Sequence, residues 1–336
     1  MRRLLLVVLL LPLIIAGWLA WDYHRFLHTP VNLAEATEFQ VPAGASLRRV
    51  GQELASAGII SKPHYWEIHG RLSEQDQGIR AGEYLIHPGL TPEDLLALFI
   101  RGRTIQYSLT IPEGWTFLQM MRAISAHEKI RNTLAEDEYM NVMAHLGRPG
   151  EHPEGWFFPD TYLFPRYTTD MDILRIAHQR MRQELARAWE NRAEDLPLKD
   201  EYEALIMASI VEKETGRADE RTLVSAVFNE RLRRGMRLQT DPTVIYGIEN
   251  FDGRIRRRDL RADNPYNTYT RDGLPPTPIA LPGAAALHAA VNPAESRALF
   301  FVSRGDGSHH FSTTYQEHRR AVIQYQLGGD ASRYGR

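Results

Sequence analysis

Glu212 and Glu214 stand two residues apart in ASIVEKETG (208–216), where an apolar run gives way to a glycine. Ala204 to Val211 are apolar apart from Ser209, which predicts a helix buried on all sides. Acidic side chains are favoured in the first turn of a helix, where free N–H groups and the dipole are positive, and disfavoured in the last. A carboxyl group at the C-terminal end, set among apolar side chains, has its charged form disfavoured and its pKa raised. An acid that keeps its proton near neutral pH is what protonation of a glycosidic oxygen requires. Residues two apart lie about 200° apart around a helix, so the two carboxylates cannot act as a side-by-side pair. Glu214 falls over Met207 and Ile210 with Val211 alongside, and Glu212 over Leu205 and Ala208 next to Ser209. Both remain candidates, Glu214 being in the more apolar setting, and Gly216 suits the position that closes a helix. The competing reading is two solvated residues on a helix end, with Lys213 between them.

Three further tracts supply groups that such chemistry would need. EGWFFPDTYLFP (154–165) surrounds Asp160 with aromatic residues whose faces suit sugar rings. GMRLQTDPTVIYG (235–247) gathers Gln239, Thr240 and Asp241 before a proline and ends near Tyr246; NPYNTYTRDGLPPTPIALPG (264–283) sets Asn267, Thr268, Tyr269 and Thr277 in proline-braced backbone. Loops this rich in hydrogen-bonding groups are where binding residues concentrate. His309, with His310 and His318, has no metal-ligand spacing, so a hydrogen bond or sugar contact is expected there and no metal. Neither a phosphate-cradling glycine loop nor a Gly-x-Ser-x-Gly elbow is present, and no cofactor is expected.

The elements that must position these residues are legible from their ends. VPAGAS (41–46), IHPGLT (86–91) and IPEGWT (111–116) each run from an apolar strand end through a Pro and Gly turn to Ser46, Thr91 or Thr116, which are placed as N-caps. Apolar residues at three and four spacing follow each one. Strand, helix, second helix and strand over 38–105 make a small α+β module, and VPAGASLRRVGQELASAGII resembles the LysM-like modules that grip glycan chains. Helices are expected at 171–192, 200–215, 219–234 and near 284–291, then a strand in ALFFVS, a turn at RGDGS and a second strand in HHFSTT. The class is α+β, with a frayed polar tail over 329–336.

Behind Arg2 and Arg3, an apolar run from Leu4 to Trp21 is long enough to cross a hydrocarbon core of ~30 Å. The basic pair predicts a cytoplasmic N-terminus and an exported body. A cleaved signal peptide competes, but the run exceeds the usual apolar region and AGWLAWDYHRF is a poor cleavage site. The remainder is globular in composition, with 43% hydrophobic and 24% charged residues; a net charge of −2 argues against a nucleic-acid partner, which calls for a basic surplus. With no cysteine, the fold must rest on its core rather than on disulfides.

EGWFFPDTYLF, ASIVEKETG, RLRRGMRLQTDPTVIYG, NPYNTYTRDGLPPTPI and GSHHFSTTYQEH, in that order behind an apolar N-terminus, resemble the endolytic murein transglycosylase (YceG-like) family along nearly the whole chain. The resemblance implies an inner-membrane protein facing the periplasm that cleaves nascent peptidoglycan within the strand. It makes Glu214 the catalytic acid, with Glu212 in support. The acid would protonate the oxygen between N-acetylmuramic acid and N-acetylglucosamine, and its carboxylate would then take the proton of the muramic O6 hydroxyl as that oxygen closes a 1,6-anhydro ring. A hydrolase would need a second carboxylate at about 5–9.5 Å, for which Asp241 or Asp160 are the choices. A muramidase and a non-catalytic glycan-binding scaffold are the alternatives, and penicillin-binding proteins or other cell-wall synthases are the candidate protein partners. The expected layout is 1–3 cytoplasmic, 4–21 transmembrane, 22–37 linker, 38–105 LysM-like module and 106–328 catalytic domain.

Overall fold

A computed structural model describes residues 2–74 and 78–334, the side chains of residues 2–9 excepted. In chain order the elements are α1 (Arg2–His28), β1 (Thr37–Val41), α2 (Leu47–Ser56), α3 (Pro63–Leu72), β2 (Gly82–Ile86), α4 (Pro92–Arg101), β3 (Gln106–Thr110), α5 (Phe117–Ser125), α6 (Val142–His145) and β4 (Thr161–Pro165). They continue with α7 (Asp170–Glu190), α8 (Glu201–Glu214), α9 (Arg221–Arg233), α10 (Asp241–Tyr246), α11 (Arg257–Arg261), α12 (Ala284–Val291), β5 (Phe300–Ser303), β6 (His309–Ser312) and α13 (Tyr315–Tyr325). Among the described residues three small two-stranded sheets, β1–β2, β3–β4 and β5–β6, and many helices make this a mixed α+β fold.

The hydroxyl caps stand where the sequence puts them. Ser46 accepts from the Arg49 N–H at 3.3 Å, Thr91 from Asp94 at 3.2 Å and Thr116 from Gln119 at 3.3 Å. The Asp94 and Gln119 side chains accept the N–H of Thr91 and Thr116 in return, completing capping boxes that start α4 and α5.

The chain divides into two units, one formed by residues up to Ser108 with Leu163–Thr168 and the other by Leu109–Tyr162 with Thr169–Arg336. In the first, β1 and β2 pair antiparallel, with Phe39 opposite Tyr84, and α2 and α3 lie between them in sequence. Its core gathers the rings of Phe39, Trp66, Tyr84 and Phe99, of which Tyr84 and Phe99 meet edge to face at 4.8 Å.

The segment expected to cross a membrane, 4–21, falls within α1, which continues to His28. Among the described residues no helix is long and apolar enough to cross a membrane. The part of the run with described side chains, residues 10–21, rises only about 18 Å, short of a ~30 Å hydrocarbon core; residues 4–9 lie outside the described side chains.

In the second unit α8 is the central helix, with every residue from Ala204 to Val211 buried and α7, α9, α10 and α12 packed around it. Asp200 caps its start by accepting from the Glu203 N–H at 2.8 Å, and Glu201 and Glu203 occupy the favourable first turn. Its only polar interior residue, Ser209, accepts the Ile279 N–H at 3.0 Å and so ties the proline-rich loop to the helix. That loop also touches the 154–165 tract, where an added Cβ on Gly155 (φ 85°) would lie 2.5 Å from Pro278 Cβ. The helix ends differently from the glycine closure expected: Thr215 turns to extended backbone (φ −144°, ψ 130°) and Gly216 is not left-handed. Thr215 Oγ1 accepts the Arg217 N–H at 3.0 Å, so the exit is held by a side chain. Near the C-terminus, Ala331–Arg333 form a 3-10 turn and the Tyr334 hydroxyl bonds that of Tyr315 at 3.0 Å, while residues 335 and 336 lie outside the description.

Candidate active site

Glu214 lies at the last position of α8 and lines a cleft of about 500 Å³ with Gln239, Asp241, Tyr269, Phe301 and His309. Its Oε2 accepts from Thr240 Oγ1 at 2.8 Å. Thr240 is buried and held by its neighbours: its N–H donates to Thr268 Oγ1 at 3.1 Å, and its carbonyl accepts from Thr243 Oγ1 at 2.8 Å. Gln239 donates its N–H to the Thr268 carbonyl at 3.2 Å from a left-handed backbone, φ 50°, which non-glycine residues seldom adopt. The buried Arg231 of α9 braces this turn from behind. Its Nε donates to the Leu299 carbonyl at 2.7 Å, and its Nη1 to the carbonyls of Arg237 and Leu238 and to Gln239 Oε1.

Burial pushes the Glu214 carboxyl up to about 7, the Thr240 hydroxyl opposing it, the nearby Asp241 charge adding to it and His309 acting downward. Glu214 therefore holds a proton close to neutral pH and still faces the cleft. Asp241, at the start of α10, is a second carboxylate on the same cleft and accepts from the Tyr269 hydroxyl at 2.6 Å. His309, on β6, is gripped by Glu220 through both its backbone N–H (3.0 Å) and Nδ1 (2.7 Å).

Glu212 points elsewhere, as the helical spacing requires. Its Oε2 accepts the Gly283 N–H at 3.0 Å, and burial raises its carboxyl, the Gly283 N–H opposing and Glu113 adding to the rise. Lys213 Nζ donates to the Gly114 carbonyl at 3.1 Å, and the Gly114 and Leu281 main chains are tied at 2.9 Å. The end of α8 thus pins two loops, 112–116 and 279–283, while presenting Glu214 to the cleft.

The other expected binding residues divide. Gln239, Asp241, Tyr269 and His309 line the cleft, and Thr240 and Thr268 stand directly behind it. Asn267 is buried, donating to the carbonyls of Asp259, Leu260 and Ala262 and accepting the Tyr269 N–H, so its polar atoms shape the loop. Asp160 is paired with Arg180 at 2.6 Å, away from the cleft lining. The aromatic tract around it is core rather than a sugar platform: Phe157, Phe158 and Phe164 are buried, and the Trp156 ring stacks on Tyr202. Tyr246 turns from the cleft to donate to Glu154 Oε2 at 3.0 Å.

The sequence pattern does not single out Glu154, Glu220 and Arg231. Glu154 is buried, accepts the Phe117 N–H at 2.8 Å as well as the Tyr246 hydroxyl, and is pushed up to about 7 by burial. It lines a second cleft of about 550 Å³ with Lys213, Tyr246 and Tyr266. The one available signal was the acidic residue opening EGW; Glu220 and Arg231 read as ordinary exposed charges on a helix.

The YceG-like family model matches residues 39–324. An endolytic murein transglycosylase of Bacillus subtilis is 27% identical over 332 residues, covering 93% of this chain and 91% of that protein. One from Streptococcus pneumoniae is 24% identical, covering 95% of this chain and 64% of its own length. The 2.6 Å crystal structure of a YceG-like protein from Listeria monocytogenes is similar over 86% of this chain and 99% of that one, at 27% identity and a TM-score of 0.54.

Proposed function

The chain belongs to the YceG-like family, and from that membership and the geometry of the cleft we propose that it is an endolytic murein transglycosylase with Glu214 as its acid and then its base. The observation that carries the reading is the buried carboxyl group of Glu214, pushed up to about 7 and held by Thr240, on a cleft of about 500 Å³. Protonated Glu214 gives its proton to the glycosidic oxygen, and the C1–O bond breaks. The carboxylate then accepts the proton of the muramic O6 hydroxyl as O6 bonds to C1, which restores the acid and leaves a 1,6-anhydro end. Water does not enter the balance. Gln239, Asp241, Tyr269 and His309 contact the sugar, and Glu212 supports the site by holding the Gly283 loop.

Asp241 on the same cleft favours one rival, a two-carboxylate muramidase. Mass spectrometry of digested glycan strands decides between them: anhydro ends are expected, and reducing muramic ends would overturn the lytic reading. An inert protein that only retains strands would overturn catalysis altogether.

Residues 38–105, within the first unit, are the glycan-gripping module, and the apolar run 4–21, whose first six side chains lie outside the described ones, is the membrane anchor. The βααβ order supports the former, and the latter rests on the apolar run behind Arg2 and Arg3 together with exposed Leu13, Ile14, Trp18 and Trp21. Carbonate extraction of membranes tests the anchor, and release of the intact chain would count against it.

A further inference from the structure

Glu220 stands outside the cleft lining, at the N-terminal boundary of α9, and is buried. It makes no cap bond to its own helix. Both of its oxygens go instead to one residue: Oε1 accepts the His309 backbone N–H at 3.0 Å and Oε2 faces His309 Nδ1 at 2.7 Å. His309 lies beside Glu214 in the cleft, its ring met edge-on by Phe301 at 5.4 Å. A further polar neighbour of Glu220 is Arg217, whose Nε lies 3.8 Å from Oε1.

An ionised carboxylate accepts and does not donate, so the Nδ1 that faces Glu220 carries hydrogen. A neutral imidazole has one N–H, and the partner of one nitrogen therefore sets the state of the other. We infer that Glu220 is a positioning residue that fixes the hydrogen of the neutral His309 ring on Nδ1, so that in this form Nε2 presents a lone pair to the cleft and accepts from a hydrogen-bond donor of the sugar chain. This rests on the reading of the cleft as a glycan site. The same division of labour, a buried carboxylate fixing a ring whose far nitrogen meets the substrate, operates in hydrolytic triads.

Glu220→Gln tests it because the amide has only one acceptor oxygen. The backbone N–H of His309 can only donate and claims that oxygen, which turns the amide NH₂ toward Nδ1. The ring must then hold its lone pair at Nδ1 and its hydrogen at Nε2, so the acceptor facing the cleft becomes a donor. Nitrogen NMR of the histidine-labelled protein, at about pH 9 to keep an ordinary imidazole neutral, should report Nδ1–H in the parent and Nε2–H in E220Q. With the fold intact by circular dichroism, kcat/KM on glycan strands should fall at least about tenfold, or ~1.4 kcal/mol. A His309→Gln variant completes the cycle: if Glu220 acts through His309, E220Q adds little to it.

An Nδ1–H ring in E220Q, a flipped ring with activity within about twofold of the parent, or fully additive losses would each overturn the inference. The tautomer is read without turnover, so these outcomes are separate from failure of the transglycosylase reading, which parent protein yielding no anhydro ends would signal.

Discussion

Glu214 and Glu212 show how two carboxylates on one helix turn come to different surroundings, one held by Thr240 and the other by the Gly283 N–H. Glu214 prefers its proton in the fold, with a pKa raised from 4.5 to about 7 mainly by burial. A group raised in this way contributes stability that is fully present below its unfolded value and is lost as pH rises through the folded one. Glu214→Gln, which cannot ionise, should match the parent near pH 4 and exceed it by about 1–3 kcal/mol well above pH 7, measured by urea unfolding. The same variant should lose activity by about 10²–10⁴, and an active, folded E214Q would remove Glu214 from the mechanism. In the parent, kcat/KM should fall as pH rises past about 7, when the acid form is depleted. Thr240→Val removes the hydroxyl that favours the charged form, so this alkaline limb should move to higher pH; a shift to lower pH would contradict the role given to that bond. Glu212→Gln keeps an oxygen for the Gly283 N–H and should stay within about threefold of parent kcat.

At the scale of elements, the helices and strands were legible because their signals are local. A hydroxyl cap, a three and four apolar spacing or a Gly-rich turn is read within one or two turns of chain, and α7, α8, α9, α12 and the β5–β6 hairpin stand close to the expected bounds. The residues that tie those elements together were less legible, since their partners are distant: Glu154 meets Phe117 across 37 positions, Arg231 meets Leu299 across 68, and Glu220 meets His309 across 89. Residue type states how many hydrogen bonds a side chain can make but not where it points. Asn267 and Tyr246 were expected on the sugar for that reason, and the fold uses both internally. Glu154 joins the first turn of α5 to the end of α10 by accepting from Phe117 and Tyr246. Glu154→Ala leaves two donors without their acceptor and should cost about 2–4 kcal/mol in urea unfolding. Glu154→Gln retains an oxygen for the Phe117 N–H and a donor for the tyrosine oxygen, so a cost below about 1 kcal/mol is expected. Equal losses in the two variants would show that Glu154 contributes by volume rather than by its bonds.

For the whole molecule, the absence of cysteine places the burden of stability on hydrophobic cores, and the first unit has one of its own built around Phe99. Phe99 is fully buried, with ring centroids of Tyr84 at 4.8 Å, Phe39 at 5.8 Å and Trp66 at 6.2 Å. Phe99→Ala removes the ring on which those three converge and should destabilise the unit by about 3–5 kcal/mol. No residue proposed for chemistry lies in that unit, since Glu214, Thr240, Asp241 and His309 all belong to the other. If the first unit grips glycan while the second cleaves it, loosening the first weakens capture and leaves the chemical step in place. On long strands KM should rise with kcat within about twofold, the signature of lost uniform binding, and short fragments that reach only the cleft should be cleaved as by the parent. A fall in kcat on short fragments as large as on long strands would remove the gripping role from the first unit.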